Sequence, residues 1–104
     1  MNYSYIIIDD DQENVLKTKA MANSFSELDF VASANNYEEG LNLILEHTPQ
    51  LVFLEIDPAD KTSNLSLSLI NELHRYLKVV PKIIVTTNNR DLAFDAIKHE
   101  VFDY

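Results

Sequence analysis

The feature that most constrains the fold is a pair of apolar runs that each end in carboxylates. Residues 51–56 read Leu-Val-Phe-Leu-Glu-Ile before Asp57, and residues 5–8 read Tyr-Ile-Ile-Ile before the acidic run 9–11. Short runs that are almost wholly apolar are typical of strands buried on both faces of a parallel sheet. Because open α/β folds place their sites at the carboxyl ends of the strands, the sequence predicts clustered carboxylates at one sheet edge. Such a cluster favours Mg²⁺ and phosphoryl chemistry.

Apolar runs alternate with amphipathic segments along the whole chain. Strands are predicted at about 3–8, 30–34, 51–56 and 82–86. Helices are predicted at 13–25, between an N-cap at Asn36 and a stop before Pro49, at 65–77, and at 89–98. Right-handed crossovers turn this order into an α/β fold with a flavodoxin-like, doubly wound parallel sheet of order 2-1-3-4-5. One domain covers residues 1–104, and its last strand is expected to be incomplete.

Two of the predicted helices have describable faces. In the first, the partly buried face is expected to include Val15, Leu16, Lys19, Met21 and Ala22. The second begins with a capping-box pattern, since Glu39 follows Asn36 by three residues.

Charge and composition exclude several classes of function. The chain carries 17 Asp and Glu against 8 Lys and Arg, a formal net charge of −9, which disfavours direct nucleic acid binding and anionic membrane surfaces. It has no Cys, and Gly40 is its single glycine, so neither a thiolate metal site nor a glycine-rich phosphate loop is expected. The opening residues do not resemble a signal peptide, and no run is long enough to span a membrane, so a cytoplasmic location is expected.

The acidic cluster and the order of elements resemble the receiver domain of bacterial two-component response regulators over all 104 residues. In that family an acidic pair follows the first strand, as Asp9 and Asp10 do here, and the resemblance implies that Asp10 binds Mg²⁺ directly. The third strand of the family ends in the phosphoacceptor, at the position of Glu55. Two residues later, the backbone carbonyl of Asp57 would complete a metal site of Asp9, Asp10, Glu55 and Asp57. Weak binding of Mg²⁺ is expected, because Mg²⁺ keeps several of its waters in a site with few protein ligands.

The resemblance extends to the C-terminal part of the chain. The fourth strand of a receiver ends in a hydroxyl residue that binds the phosphoryl group, which corresponds to Thr87 in the run Ile-Ile-Val-Thr-Thr. The aromatic switch residue of the fifth strand corresponds to Tyr104. The segments 92–97 and 102–104 are most similar to receivers that precede LytTR-type DNA-binding domains.

Two departures from the family pattern change what the resemblance implies. The family's acceptor is Asp, whereas Glu55 carries its carboxylate one C–C bond further out, about 1.5 Å. Because in-line phosphoryl transfer tolerates little misplacement, Glu55 is expected to suppress phosphorylation and to act as a partial, permanent mimic of the phosphorylated state. The sequence also stops at Tyr104, before the family's Lys. We therefore expect a fragment of a longer regulator that lacks the end of the fifth strand and the last helix.

Simpler explanations compete for the same residues. Carboxylates such as those at 9–11 are also favoured at a helix N-terminus, where they interact with the helix dipole. Thr87 is also a suitable cap for the helix that follows it, and Tyr104 is also typical of a packed aromatic. The three histidines, His47, His74 and His99, fall on separate predicted helices without ligand spacing, so no histidine metal site is expected.

Three functions of different classes are consistent with the sequence. The leading hypothesis is an atypical receiver, not an enzyme, that regulates a linked or bound output domain by conformational docking. The alternative is a phosphorylation-competent receiver that accepts phosphate from a histidine kinase with Mg²⁺. The third is a Mg²⁺-dependent phosphohydrolase, suggested by the Asp-x-Asp within residues 9–11. Expected partners are a histidine kinase or an output domain, such as a LytTR-type DNA-binding domain outside this chain, and the sequence leaves a homodimer open.

Overall fold

The computed structural model describes residues 2–55 and 68–86, except for the side chains of 68–71, as alternating strands and helices. The strands are β1 (Tyr3–Ile8), β2 (Leu28–Ala34), β3 (Leu51–Glu55) and β4 (Lys82–Thr86). The helices are α1 (Gln12–Ala22), α2 (Tyr37–His47) and α3 (Ser68–Tyr76). The predicted helix at 89–98 and the predicted fifth strand lie outside the described residues.

The four described strands form one parallel sheet in the order β2-β1-β3-β4. Helix α1 packs on one face, where Val15 and Ala22 join the core. Helices α2 and α3 pack on the other face, through Ile44 and Leu73. The predicted flavodoxin-like, doubly wound α/β fold is thereby confirmed for these strands. None of the three described helices has the length and apolarity that crossing a bilayer requires.

Alternation along the central strands explains why the apolar runs have no polar positions. Successive side chains of a strand point to opposite faces of the sheet, and here both faces are covered by helices. The set beneath α1 is Tyr5, Ile7, Leu28, Leu51, Phe53 and Ile84. The set beneath α2 and α3 is Ile6, Ile8, Ala34, Val52 and Leu54. Each run is therefore apolar throughout because every residue in it faces a helix.

Helix α1 differs from its prediction at its C-terminal end and on its buried face. It ends at Ala22, before the predicted end at Phe25. The next amides no longer follow the α-helical pattern, because those of Ser24 and Phe25 donate three residues back, to the carbonyls of Met21 and Ala22 at 3.1 and 3.0 Å. The buried positions are Val15, Thr18 and Ala22. Leu16, predicted to be partly buried, is 67% exposed, since it lies about 100° around the helix from Val15. The prediction for Leu16 was wrong.

Helix α2 begins and ends as predicted. The side chain of Asn36 accepts a hydrogen bond from the Glu39 amide at 2.9 Å, which confirms Asn36 as the N-cap. At the other end Thr48 adopts a left-handed conformation with φ 43°, and its amide donates to the Ile44 carbonyl at 2.8 Å. Pro49 follows and cannot continue the helix. For α3, the predicted span of 65–77 agrees with the described helix from Ser68, and residues before it lie outside the described part.

Gly40 permits the close approach of α2 to β1. It is buried, and a Cβ atom added there would lie 2.8 Å from Cδ1 of Ile8, 3.1 Å from Cγ2 and 3.2 Å from Cγ1. Ile8 is fully buried, so its side chain has little room to move away. The single glycine of the chain thus holds a helix against the last residue of β1, directly before the acidic run.

Gly40→Ala should therefore lower the free energy of unfolding by about 1 kcal/mol, because overpacking of about 1–3 kcal/mol exceeds the roughly 1 kcal/mol gained in helix propensity. Urea denaturation followed by circular dichroism measures it. Asn42→Ala, at an exposed position of the same helix, controls for propensity. In an Ile8→Val background, which removes Cδ1, the cost of Gly40→Ala should shrink. An equal cost in both backgrounds would contradict the contact with Ile8 as its cause.

Tyr5 places a polar atom in the core beneath α1. Its ring makes edge contacts with Phe30 and Phe53, at centroid distances of 5.6 and 5.5 Å. Its hydroxyl is buried and finds no hydrogen-bond partner among the described residues. Burial raises the pKa of the Tyr5 hydroxyl above its ordinary value of 10.0, because the phenolate would lose its hydration.

Tyr5→Phe should raise stability by up to about 1 kcal/mol, since it removes an unsatisfied hydroxyl and keeps both ring contacts. The wild type should also lose stability as the pH rises above 10.0, where the unfolded chain releases the Tyr5 proton and the folded chain retains it. The variant should lose less over the same range. Denaturation midpoints of both proteins at neutral and alkaline pH measure the difference, and parallel curves would contradict the assignment to Tyr5.

Candidate functional site

Glu55 ends β3 in the core of the protein. It is 5% exposed, and in the parallel pairing of β3 with β4 it lies opposite Thr86, itself 2% exposed. Two positions earlier in each strand, Phe53 lies opposite Ile84, and both belong to the core beneath α1. By alternation, the carboxylate of Glu55 and the hydroxyl of Thr86 share that face at the carboxyl edge of the sheet.

Asp9 reaches the same edge from the neighbouring strand. Its amide donates to the Ala34 carbonyl at 3.0 Å, so the β1 ladder continues one residue past Ile8. Because Ile7 belongs to the core beneath α1, alternation places Asp9 on the face of Glu55. Asp9 is 1% exposed. Since β1 pairs with β3 and neighbouring strands lie about 4.8 Å apart, Asp9 and Glu55 end adjacent strands at the same edge of the sheet.

Local hydrogen bonds fix the acidic run that follows β1. Oδ1 of Asp9 accepts from the Asp11 amide at 3.0 Å. Oδ1 of Asp11 in turn accepts from the Glu13 amide at 3.0 Å, which makes Asp11 the N-cap of α1. Asp10, between them, is partly exposed. Asp11 therefore acts as expected of an acidic residue at a helix N-terminus, because it caps α1. Asp9, in the same run, is buried inside the protein.

The remaining predicted site residues lie outside the described part. These are Asp57, Thr87 and Tyr104. Among the described residues, no group of three or more His, Cys, Asp and Glu side chains is arranged to hold a metal ion. Asp9, Asp10 and Glu55 by themselves are thus not a recognisable metal centre, and the Mg²⁺ site of Asp9, Asp10, Glu55 and Asp57 stays a prediction.

Thr86 is a neighbour of Glu55 that sequence reasoning did not select. The family comparison assigned the hydroxyl function to Thr87, whereas the described neighbour of Glu55 across the sheet is Thr86. The sequence shows the two runs that pair, Leu-Val-Phe-Leu-Glu and Lys-Ile-Ile-Val-Thr, but not their register. The missing information was where one run starts relative to the other.

The buried carboxylates of Asp9 and Glu55 favour a nearby group that compensates their charge. Two carboxylates buried on neighbouring strands lose hydration and repel each other, and both effects cost free energy. Hydrogen-bond donors, a cation or a bound proton would lower that cost. A carboxylate is also a group that can attack a phosphoryl centre when it is correctly placed.

Comparison with solved structures finds the same fold in response regulators. A mutant of the anti-anti-sigma factor PhyR from Bartonella quintana superposes with a TM-score of 0.70 at 17% identity, over 88% of this chain and 36% of that one. The response regulator PhyR from Brucella abortus gives 0.67 at 24% identity, over 82% and 33%. The response regulator domain of CheB from Thermotoga maritima gives 0.64 at 16% identity, over 91% and 72%.

These likenesses show a shared fold, that of response-regulator receiver domains. The chain spans about a third of the length of the two PhyR structures. No protein-family model matches the sequence, and a comparison with curated proteins finds no significant match.

Asp11→Ala should lower the free energy of unfolding by about 1 kcal/mol, because the Glu13 amide loses its acceptor at the N-terminus of α1. Asp11→Asn keeps a side-chain oxygen in the same position and should stay within a few tenths of a kcal/mol of the wild type. Urea denaturation of the three proteins separates the two effects. If Asp11→Asn lowers the free energy of unfolding as much as Asp11→Ala does, the stabilisation comes from the negative charge of Asp11 and not from the capping hydrogen bond.

Proposed function

We propose that this chain is a receiver module of two-component signal transduction that works without phosphorylation of an Asp. Glu55 occupies the phosphoacceptor position, and the module regulates a linked or bound output domain by conformational docking. The observation that carries this proposal is the burial of Glu55 at the end of β3, beside Asp9 and Thr86 on one face of a receiver-like sheet. A carboxylate that served only as a solvated strand end would be expected at the surface.

The length of the Glu55 side chain is the reason to propose regulation without phosphorylation. Its backbone is fixed by the pairing of β3 with β4, so the extra methylene moves the carboxylate about 1.5 Å outward, toward the space that a phosphoryl group would need. A misplacement of that size disrupts an in-line transfer. The single negative charge there would imitate part of the charge of roughly −2 on a phosphorylated acceptor.

Partners and cofactor follow from the same proposal. A histidine kinase would supply phosphate if the site accepts it, and an output domain, of LytTR type or another, would be read through the receiver's surface. Asp9, Asp10, Glu55 and the carbonyl of Asp57 would hold Mg²⁺ weakly, with several waters retained. The module turns over no substrate of its own, and the cytoplasm is the compartment in which such partners would meet it.

The test is phosphorylation by acetyl phosphate with Mg²⁺, on the wild type and on Glu55→Asp. In this step a carboxylate oxygen forms a bond to phosphorus as the bond from phosphorus to the acetyl oxygen breaks, and acetate leaves. Intact mass should show a gain of about 80 Da, one phosphoryl group, in Glu55→Asp and none in the wild type. Asp9→Asn in the Glu55→Asp background is the matched control and should reduce the gain.

Each other outcome has a definite meaning. A wild type that is modified would establish the alternative, a phosphorylation-competent receiver with Glu55 as acceptor, and would overturn phosphorylation-independent regulation. If neither protein is modified although both are folded, this chain shares only the fold of receivers. Release of inorganic phosphate by repeated turnover would instead establish the phosphohydrolase.

A further inference from the structure

A groove lies at the amino ends of β3 and β4, at the edge of the sheet opposite Glu55. Its volume is about 260 Å³, and we call it the basal groove. Residues 48–50, before β3, form its first wall, and residues 77 and 79–81, before β4, form its second wall. Small-molecule pockets are about 300–1,000 Å³, so the basal groove suits side chains of another surface better than a whole small ligand.

Backbone hydrogen bonds fix the two walls relative to each other and to β1. The Lys82 amide donates to the Gln50 carbonyl at 2.9 Å, and the Gln50 amide donates to the Ser4 carbonyl at 3.1 Å. Pro49 and Pro81, one in each wall, are buried and restrict the backbone. The groove is therefore formed before anything binds, which lowers the entropy lost on association.

Exposed apolar side chains are clustered at the second wall. Val79 is 85% exposed, and Tyr76, three residues earlier at the end of α3, is 59% exposed. Among the described residues, Leu16 on α1 is the other large hydrophobic side chain that stands exposed. Single exposed hydrophobic residues are normal, whereas neighbouring ones beside a concave surface are typical of an interaction site. The second wall therefore presents apolar surface to a protein partner.

A negative charge stands exposed next to the first wall. Glu46 lies two residues before Thr48, and its side chain is 71% exposed. It approaches His47 at 3.8 Å, and this contact joins opposite charges only when His47 is protonated. With His47 neutral, the carboxylate of Glu46 is open to a cation on a partner.

A positive charge stands exposed next to the second wall. Lys78 falls between two lining residues of that wall and is exposed. Its ammonium group has no ion-pair partner among the described residues, whereas Arg75 pairs with Glu72 at 3.9 Å and Lys82 has a partner of its own. Of the described Lys and Arg residues beside the groove, Lys78 is thus the one that is open to an anion on a partner.

We infer that the basal groove is the contact surface of a weak, two-fold symmetric dimer of this chain. A two-fold axis along the groove sets the first wall of each copy against the second wall of the other. Val79 then packs against the partner's Pro49, and Lys78 meets the partner's Glu46, so that each contact occurs twice. This surface goes beyond the function proposed above and does not depend on Glu55.

The mixed charge beside the groove selects a second copy over other occupants. An acidic segment, a nucleic acid or an anionic membrane would meet one open lysine, Lys78, with the carboxylate of Glu46 exposed at the other wall. A second copy, turned by the two-fold axis, presents both signs in complementary positions.

The net charge of −9 on each chain opposes association of two copies. Residues 47–54 and 73–82 contain no Asp or Glu, so the copies meet where the chain is least negative. At physiological ionic strength, screening over about 8 Å weakens the repulsion between the remaining carboxylates. The repulsion therefore lowers the affinity of the dimer without directing the contact elsewhere.

The small extent of the surface predicts a weak dimer. Standard interfaces use about 20–30 residues on each side and bury about 1,600 Å². The basal groove with its flanking side chains comprises only residues 46–50 and 76–82. We therefore expect a dissociation constant on the order of 100 µM.

Sedimentation equilibrium of the full chain measures the association, over concentrations from about 10 µM to about 1 mM that bracket the expected constant. Amide shifts of the ¹⁵N-labelled protein over the same range locate the surface. We expect the average mass to rise from one chain toward two, with shifts confined to residues 46–50 and 76–82. Val79→Ser, at an exposed position, should weaken association severalfold and leave the circular dichroism spectrum unchanged.

Charge reversal separates the inferred ion pairs from the effect of net charge. Lys78→Glu and Glu46→Lys should each weaken the dimer about tenfold, because each creates two contacts between like charges. The double variant restores both pairs with their signs exchanged and should recover the wild-type affinity to within about threefold. Net charge alone predicts the opposite for Glu46→Lys, which makes the chain less negative and would strengthen association.

Matched controls lie on α1. Lys17→Glu and Glu13→Lys make the same two charge changes at side chains 61% and 77% exposed, and neither should weaken the dimer more than about twofold.

Several outcomes would overturn the inference. These are a monomer at about 1 mM, shifts at other residues, and a double variant that associates no more tightly than the single ones. Growth beyond two chains would indicate head-to-tail assembly and exclude the two-fold contact. If an acidic peptide or phosphatidylserine vesicles shift these amides in a protein that stays monomeric, the groove takes that partner and the inference is wrong.

Discussion

The burial of β1 and β3 between two layers of helices is the constraint on which the other features depend. Ile6, Ile8, Val52 and Leu54 face α2 and α3, while Tyr5, Ile7, Leu51 and Phe53 face α1. A slip of one residue in either strand would exchange the two sets, and the helix faces would no longer match them. The register is therefore strongly specified, and it carries Asp9 and Glu55 to the same face at the end of the sheet.

That register also explains how a buried acidic edge is compatible with a stable fold. The two strands contribute apolar side chains along their lengths, and only their last positions are charged. The unfavourable burial of Asp9 and Glu55 is thus confined to one end of the sheet, where the amide of Asp11, the N-cap of α1, donates to Asp9.

The sequence predicted the described elements well because their signals are local. Short runs rich in apolar residues located all four described strands, and the Asn36 cap with Pro49 located α2. The boundary of α1 and the exposure of Leu16 were predicted wrongly, because a weakly amphipathic helix has no strong preference for one face until the sheet is beneath it. The irregular pairing of β1 with β2, between Tyr5 and Ile6, had no sequence signal.

The sequence by itself determined which residues are acidic, which runs are apolar and where α2 begins and ends, because these depend on residue type and on neighbours along the chain. It therefore placed Asp9 and Glu55 at strand ends and indicated a doubly wound fold. Only the tertiary structure decided that Thr86 is the neighbour of Glu55 and that Gly40 is packed closely against Ile8. Each of these depends on the relative position of segments far apart in sequence, which side-chain packing fixes and no single segment encodes.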